Sequence, residues 1–301
     1  MNRTVFWALV KRNVKMFFRD KGMFLVSLIT PLILLLLYVT FLGNVYRDAF
    51  TSALPGGSTL PDKLINGCVS AQLVSSVLSV SAVTVAFCSN MLMVQDRANG
   101  TIWDLTVTPV NPGILGGAYF TATFISTLLI NLIAAVGGLV YMGITGWYMS
   151  AYDVVLLLCD IVITVLFGTA ASSVVNFFLS SQGQISAVGT VVSSCYGFVS
   201  GAYMPISSFS EGLRNVISVL PGTYGTSLIR THSMAGAFRE MEAIGLPRAY
   251  ISGMKDAVDS NIYFFGSAVE TWTKYAVVLG AAAVLIGIYI LLNRFRSKRK
   301  G

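Results

Sequence analysis

Residues 23–42 read MFLVSLITPLILLLLYVTFL, twenty positions without a charged side chain. At about 1.5 Å of rise per residue, a helix over that run covers about 30 Å, the thickness of a bilayer's hydrocarbon core. The run is too long for the core of a secretory signal and lacks a convincing small-residue cleavage site. It therefore reads as a first membrane span, kinked at Pro31. Just before it, residues 6–18 read FWALVKRNVKMFF. Helical spacing puts Phe6, Leu9, Val10, Val14 and Phe17 on one stripe and Lys11, Arg12, Lys15 and Arg19 on the other. That pattern predicts an amphipathic interfacial helix over 1–21, lying on an anionic leaflet.

Apolar side chains make up 55% of the 301 residues and charged ones 11%, with a mean hydropathy of +0.74. A soluble core cannot hide that much apolar surface. Further spans are predicted over 66–94, 114–142, 154–179, 185–203 and 275–292, six with the first. Residues 43–65 hold YRD, LPGG and LPDK and read as an external loop, while 95–113 form a polar bend with an amphipathic centre. Segment 204–270 reads as re-entrant and external. It begins with a pair of short half-inserted helices broken at Pro221-Gly222 and continues as a charged stretch from Ala237 to Glu270, patterned as a helix around FREMEAIG. The expected fold is an all-α polytopic membrane protein, a single transmembrane domain over 1–301. It has an N-terminal amphipathic helix, six transmembrane helices and a broken fifth span with half-inserted external helices.

The net charge of +7 is informative once it is placed relative to the membrane. With both termini on one side, that side carries twelve Lys/Arg and three acids. The other carries eight and nine, and Asp160 falls inside a span. The excess marks the side of the termini as cytoplasmic. Nothing interleaves aromatic and basic residues on a soluble face, which argues against nucleic acid. Cys68, Cys88, Cys159 and Cys195 lie in apolar runs with no CxxC pair and read as packing residues. The single histidine, His232, cannot build an HExxH zinc site or a specific Ser/His/Asp group, and it reads as a polar residue of the external segment. No Gly-Lys dipeptide occurs, so the phosphate-cradling GxxxxGK[ST] loop is missing. ATP, if it drives this protein, is bound by another subunit.

That absence draws attention to the bend between the second and third spans. Asp96 and Arg97 leave the membrane there, and Ile102, Trp103, Leu105 and Val107 offer an apolar surface that a protein groove could accept. Gln95-Asp96-Arg97, Gly100-Thr101, Leu105 and Thr108-Pro109-Val110 resemble the bend of the ABC type-2 permease family, the membrane subunits of ATP-binding-cassette exporters of the multidrug and daunorubicin-resistance kind. The resemblance covers nearly the whole chain. Near the outer end of the fifth span, Gly201, Met204, Pro205, Phe209, Leu213, Pro221 and Tyr224 follow the family's order of small residue, proline, apolar helix and second proline. Three departures stand out: Gln95 replaces an acid, Trp103-Asp104 replaces a more ordinary polar pair, and no basic residue opens the third span near Gly116-Gly117.

The resemblance implies a transport subunit that is not itself an enzyme, with no cofactor of its own and with ATP and Mg held by a cytoplasmic ATPase partner. That partner would dock on Asp96, Arg97, Gly100, Thr101, Ile102, Trp103, Leu105 and Pro109 and on the interfacial helix with Lys11, Arg12, Lys15 and Arg19. A second permease chain would complete a homo- or heterodimer in membrane lipid, exporting a drug, lipid or peptide-like cargo by alternating access. Gly201, Met204, Pro205 and Pro221 would form the outer gate. The bland alternative for the bend is that Ile102 and Trp103 anchor a loop at the interface.

Translocation-path candidates are Gln72, Ser75, Ser76 and Ser79 on one face of the second span, and Ser193, Ser194 and Ser200 on the fifth. The same small residues could instead let helices pack closely, above all Gly197-x-x-x-Gly201. Asp160 has two readings: a path residue contacting cationic cargo or relaying a proton, or an outer-leaflet carboxylate paired with an external basic side chain. With Asp160 as its coupling group, a proton-coupled secondary transporter is the alternative function.

Overall fold

The computed structural model describes residues 2–52, 60–102, 105 and 112–298. Helix α1, Asn2–Arg19, is followed by α2, Lys21–Leu37, whose first turn is capped by the Asp20 carboxylate accepting from the Met23 amide at 3.0 Å. Pro31 sits inside α2 without ending it; the departure from α geometry comes at Tyr38–Leu42, a π turn that runs on into α3, Gly43–Ser52. There follow α4, Asp62–Ala98; α5, Pro112–Thr145; α6, Ala151–Phe177; and α7, Gln182–Val199. A single 3-10 turn, Ile206–Ser208, leads to α8, Glu211–Val219, then α9, Pro221–Ala243, and α10, Arg248–Ala257. A two-residue hairpin, β1 Tyr263–Phe264 with β2 Ser267–Ala268, precedes α11, Thr271–Lys298.

The protein is an all-α polytopic membrane protein apart from that hairpin. Among the described residues, five helices are long and apolar enough to cross a bilayer: 21–51, 62–98, 112–145, 151–177 and 271–295. Helix α4 is the centre of the bundle, buried along nearly its whole length and packed by α2, α5, α6, α7 and α9. Its small residues explain how so many helices reach it. Gly168 of α6 lies so close to Ala82 of α4 that a Cβ would press on the Ala82 carbonyl, and Gly67 meets Gly146 in the same manner. Between helices in lipid, packing of this kind replaces the hydrophobic drive available in water. The outward faces of α2, α5 and α11 carry Leu25, Leu32, Leu36, Ile133, Val136, Val284 and Leu291, all exposed.

Several expectations need correcting. The apolar stripe of α1 packs on protein: Val10 is buried against Ala118 and Ala122 of α5, with Phe6, Leu9 and Val14 beside it, and Phe17 joins a second cluster with Met93 and Leu115. A helix packed on protein leaves Trp7, Met16 and Phe18 as its exposed apolar groups. Helix α7, at the expected fifth span, stops at Val199 rather than continuing to Tyr203. Gly201 takes φ +72, its amide donates to Phe198 O at 3.2 Å, and the Ala202 amide donates to Gly197 O at 2.9 Å, which closes the helix end. Gly197 and Gly201 are therefore a helix C-cap and not a small-residue seam; the nearest neighbour of Gly197 is the Tyr203 ring. The break at Pro221 is present, with proline starting α9 where no amide is needed. Only α8 is short, however, and α9 runs through Ala243 because its polar face is buried among α4, α6 and α11. Of the cysteines, Cys68 and Cys88 are buried, whereas Cys159 and Cys195 are exposed on outer helix faces.

Candidate functional site

At the basic end of the bundle, where α1 lies, three elements converge on one carboxylate. Asp96, near the end of α4, is buried and accepts from Arg12 of α1 at 2.8 and 3.2 Å and from the Tyr119 hydroxyl of α5 at 2.5 Å. The hydrogen bonds and charge of Asp96 hold the Arg12 guanidinium above its ordinary pKa, against its partial burial. Arg97 turns the other way. Its Nη1 donates to Phe177 O at 2.7 Å and to Asn176 O and Leu179 O at 3.3 Å, satisfying the carboxyl end of α6. Asp96 and Arg97 are thus both engaged within the chain, tying the end of α4 to α1, α5 and α6. Gly100, at φ +78, ends α4.

Beyond Gly100, Thr101, Ile102 and Leu105 are half-buried, and Ile102 and Leu105 pack on the cluster of Phe17, Leu92, Met93, Leu115 and Tyr119. The bend and α1 therefore share one apolar support. Trp103 and Pro109 lie outside the described residues. Lys11, Lys15 and Arg19 are exposed on the outer face of α1, whereas Arg12 is committed to Asp96.

A groove of about 940 Å³ opens between α2 and α7. Ile29, Ile33 and Phe41 face Ser193, Ser194 and Phe198 across it, Met204 and Pro205 close its far end, and no lining residue carries a formal charge. The structure thus brings together Ser193, Ser194, Met204 and Pro205. Gln72, Ser75, Ser76 and Ser79 do not join them. All four are fully buried within α4, with the Ser79 hydroxyl bonded to Thr226 of α9 and the Ser75 hydroxyl to Gln72 O at 2.8 Å. Their face of α4 looks toward α9, where Ser79 meets Thr226 and Ser76 meets Arg230, and not toward the groove. Ser200 is buried at the α7 cap, Gly201 forms that cap, and Pro221 begins α9.

Asp160 is also away from the groove. It is fully buried in α6, with Oδ2 2.5 Å from His232 Nδ1 of α9 and Oδ1 accepting from the Tyr275 hydroxyl of α11 at 2.5 Å. Neither reading from sequence gave this partner, and His232 is correspondingly an interior residue rather than an external one. Beside them Lys274 donates to Ser227 Oγ at 2.9 Å and Ser260 O at 2.6 Å. A second interior cation, Arg230 of α9, donates to Val258 O at 2.6 Å, Gly201 O at 3.0 Å and Ser76 Oγ at 3.1 Å, with Asp259 at 3.6 Å. Asp259 in turn accepts from the Ile206 amide at 2.8 Å. Burial raises the Asp259 carboxyl to about 6, against the opposing pull of Arg230. These charges knit α9 and the segment after α10 to α4 and to the α7 cap. An isolated Arg or Asp in a half-apolar sequence gives no sign of such partners, so composition and spacing could not find them.

Helices that cross a membrane, an uncharged groove between two of them, and an amphipathic helix pinned beside a bend make up the architecture of a membrane transport protein. A family model described as ABC-2 type transporter matches residues 4–232, and the chain belongs to that family. It is a permease, the transmembrane subunit of an ABC exporter, without an ATP site of its own. Permeases of this family work with an ATP-binding-cassette ATPase. No curated protein matches the chain.

Proposed function

We propose that this chain is one half of an exporter's translocation pathway and moves apolar or amphipathic cargo along the α2–α7 groove. Alternating access is driven by a separate cytoplasmic ATPase that holds ATP and Mg. The observation that carries the reading is the shared support of α1 and the bend: Arg12, Asp96 and Tyr119 tie α1, α4 and α5 into one body, so a push on either α1 or Leu105 reaches the central helix. In this reading α7 is the sixth crossing, both termini are cytoplasmic in the cell membrane, and a second permease chain closes the groove from the other side. The absence of charge in the groove favours drug-like or lipid-like cargo over a strongly ionic one. Exposed Lys11, Lys15 and Arg19 then meet the ATPase or anionic headgroups.

The decisive experiment is reconstitution in vesicles with and without the ATPase subunit. The chain alone is expected to be inert, and the pair to move cargo only with ATP; robust pumping by the lone chain overturns the proposal. Leu105→Asp is expected to abolish coupled transport while sparing membrane insertion, and unchanged transport and ATPase activity would remove the bend from the docking site. The buried Asp160–His232 pair motivates the competing proton-coupled carrier. That carrier requires transport that collapses with the proton gradient and survives ATPase inhibition.

A further inference from the structure

A second groove, of about 750 Å³, lies at the basic end between α1, α5 and α11, on the opposite side of α5 from the docking bend's support. Phe6, Phe120, Ile286, Ile290 and Phe295 form its walls. Gly117 lines it opposite Phe6, whose ring would lie in ordinary contact, at 3.5 Å, with a Cβ at that position. From Ile286 to Arg294 the groove follows α11 for about 12 Å at helical rise, so its occupant belongs to a single leaflet of a core about 30 Å thick.

The mouth differs in chemistry from the walls. Arg294 lines it and is exposed, with no acidic partner among the described residues, and Arg3 lies one turn before Phe6 on α1. The described acids of this end are committed elsewhere: Asp20 caps α2 and Asp96 holds Arg12. Trp7, edge-on against Phe6 at 5.4 Å and 52% exposed, is next to a wall residue of the groove, and exposed tryptophans are common at headgroup level. An apolar slot with an unneutralised guanidinium at its water-facing end matches a phosphodiester headgroup carried on an acyl chain. A zwitterionic lipid would bring an ammonium group for which this rim supplies no carboxylate.

We propose that this groove holds one anionic phospholipid, its phosphate on Arg294 and its acyl chain along Phe120, Ile286 and Ile290, filling the space between α1 and α11. The inference rests on the membrane placement of the chain and not on export. Native mass spectrometry of the purified full chain, titrated with phosphatidylglycerol and phosphatidylcholine of matched acyl chains, tests it. The wild type is expected to retain one phosphatidylglycerol with about fivefold preference, the factor for a single basic contact at a membrane surface. Arg294→Gln should bind both lipids equally, Arg294→Lys should keep the preference, and Gly117→Leu, which plugs the slot, should retain neither. Equal retention by the wild type, a preference that survives Arg294→Gln, or unimpaired retention by Gly117→Leu each overturns the proposal. None of these readouts involves cargo or ATP, so their failure leaves the export reading untouched, and an inert exporter leaves the lipid site untouched.

Discussion

His232 and Asp160 lie 72 positions apart and share a 2.5 Å hydrogen bond in the interior. A carboxylate inside a membrane helix costs about 2.5–3.5 kcal/mol on insertion scales, so its partners are integral to its presence. Asp160→Leu strands the His232 ring and the Tyr275 hydroxyl and is expected to lower stability by about 3 kcal/mol. The double variant Asp160→Leu with His232→Leu should recover part of that, because a buried polar pair replaced whole is tolerated better than half a pair. Thermal unfolding of the singles and the double gives the coupling, and additive losses would show the contact to be energetically idle. In transport, Asp160→Asn should export normally at every pH, whereas a proton-coupled carrier would fail with it. Asp259 makes a different contribution, one that depends on pH. Burial pushes its carboxyl up to about 6 in the folded protein, from an ordinary 3.8. The folded state therefore binds the proton more tightly, and the stabilisation is complete below pH 3.8 and lost as pH rises through 6. The midpoint difference, wild type minus Asp259→Asn, should decline across that window and stay level above it; a flat or rising difference contradicts the assignment.

At the scale of elements, α1 depends on Arg12 more than on its membrane-facing groups. Arg12→Ala leaves Asp96 buried with the Tyr119 hydroxyl alone, a loss of about 3 kcal/mol. It should expose the α1–α2 junction at Lys21 to trypsin and weaken co-purification of the ATPase; an unchanged cleavage rate would mean that the apolar stripe suffices. Gly201→Ala forces a Cβ onto a residue at φ +72, where it would stand 2.9 Å from Ile206 Cγ1, so a loss of at least about 1 kcal/mol is expected in the unfolding midpoint. What sequence revealed of these elements follows from periodicity. The Phe6–Phe17 stripe and the long apolar runs announce themselves because a helix repeats every 3.6 residues. The same periodicity cannot say whether a stripe meets lipid or protein, so α1 read as lying on a leaflet when it packs on α5. Gly197 and Gly201 misled for a related reason: helical spacing persists in the letters after the chain has left the helix. Arg230 and His232 went unnoticed as interior residues because their partners come from distant turns.

For the molecule as a whole, burial sets one helix apart from the two that border the groove. Helix α4 is committed to its neighbours along nearly its whole length, while α2 and α7 face the groove with apolar and hydroxyl side chains that nothing among the described residues covers. If a second permease closes that groove, Ser194→Cys on α7, at an exposed position that lines it, should cross-link between two copies in membranes. Failure to cross-link there, with cross-linking at an outer residue of α11 such as Val284→Cys instead, would move the interface.

The π turn at Tyr38–Leu42 has one more implication. The Gly43 amide donates to the carbonyl of Tyr38, five residues back, so this turn holds one residue more than an α turn would. The chain carries a residue of slack there, and Val39, 83% exposed, is the natural one to lose. Deleting Val39 should restore ordinary winding and keep Tyr46 and Phe50 against α4. Deleting Leu35, one turn earlier, should swing everything downstream by about 100°. Tolerance of the first shortening and intolerance of the second would mark this turn as an absorbed insertion.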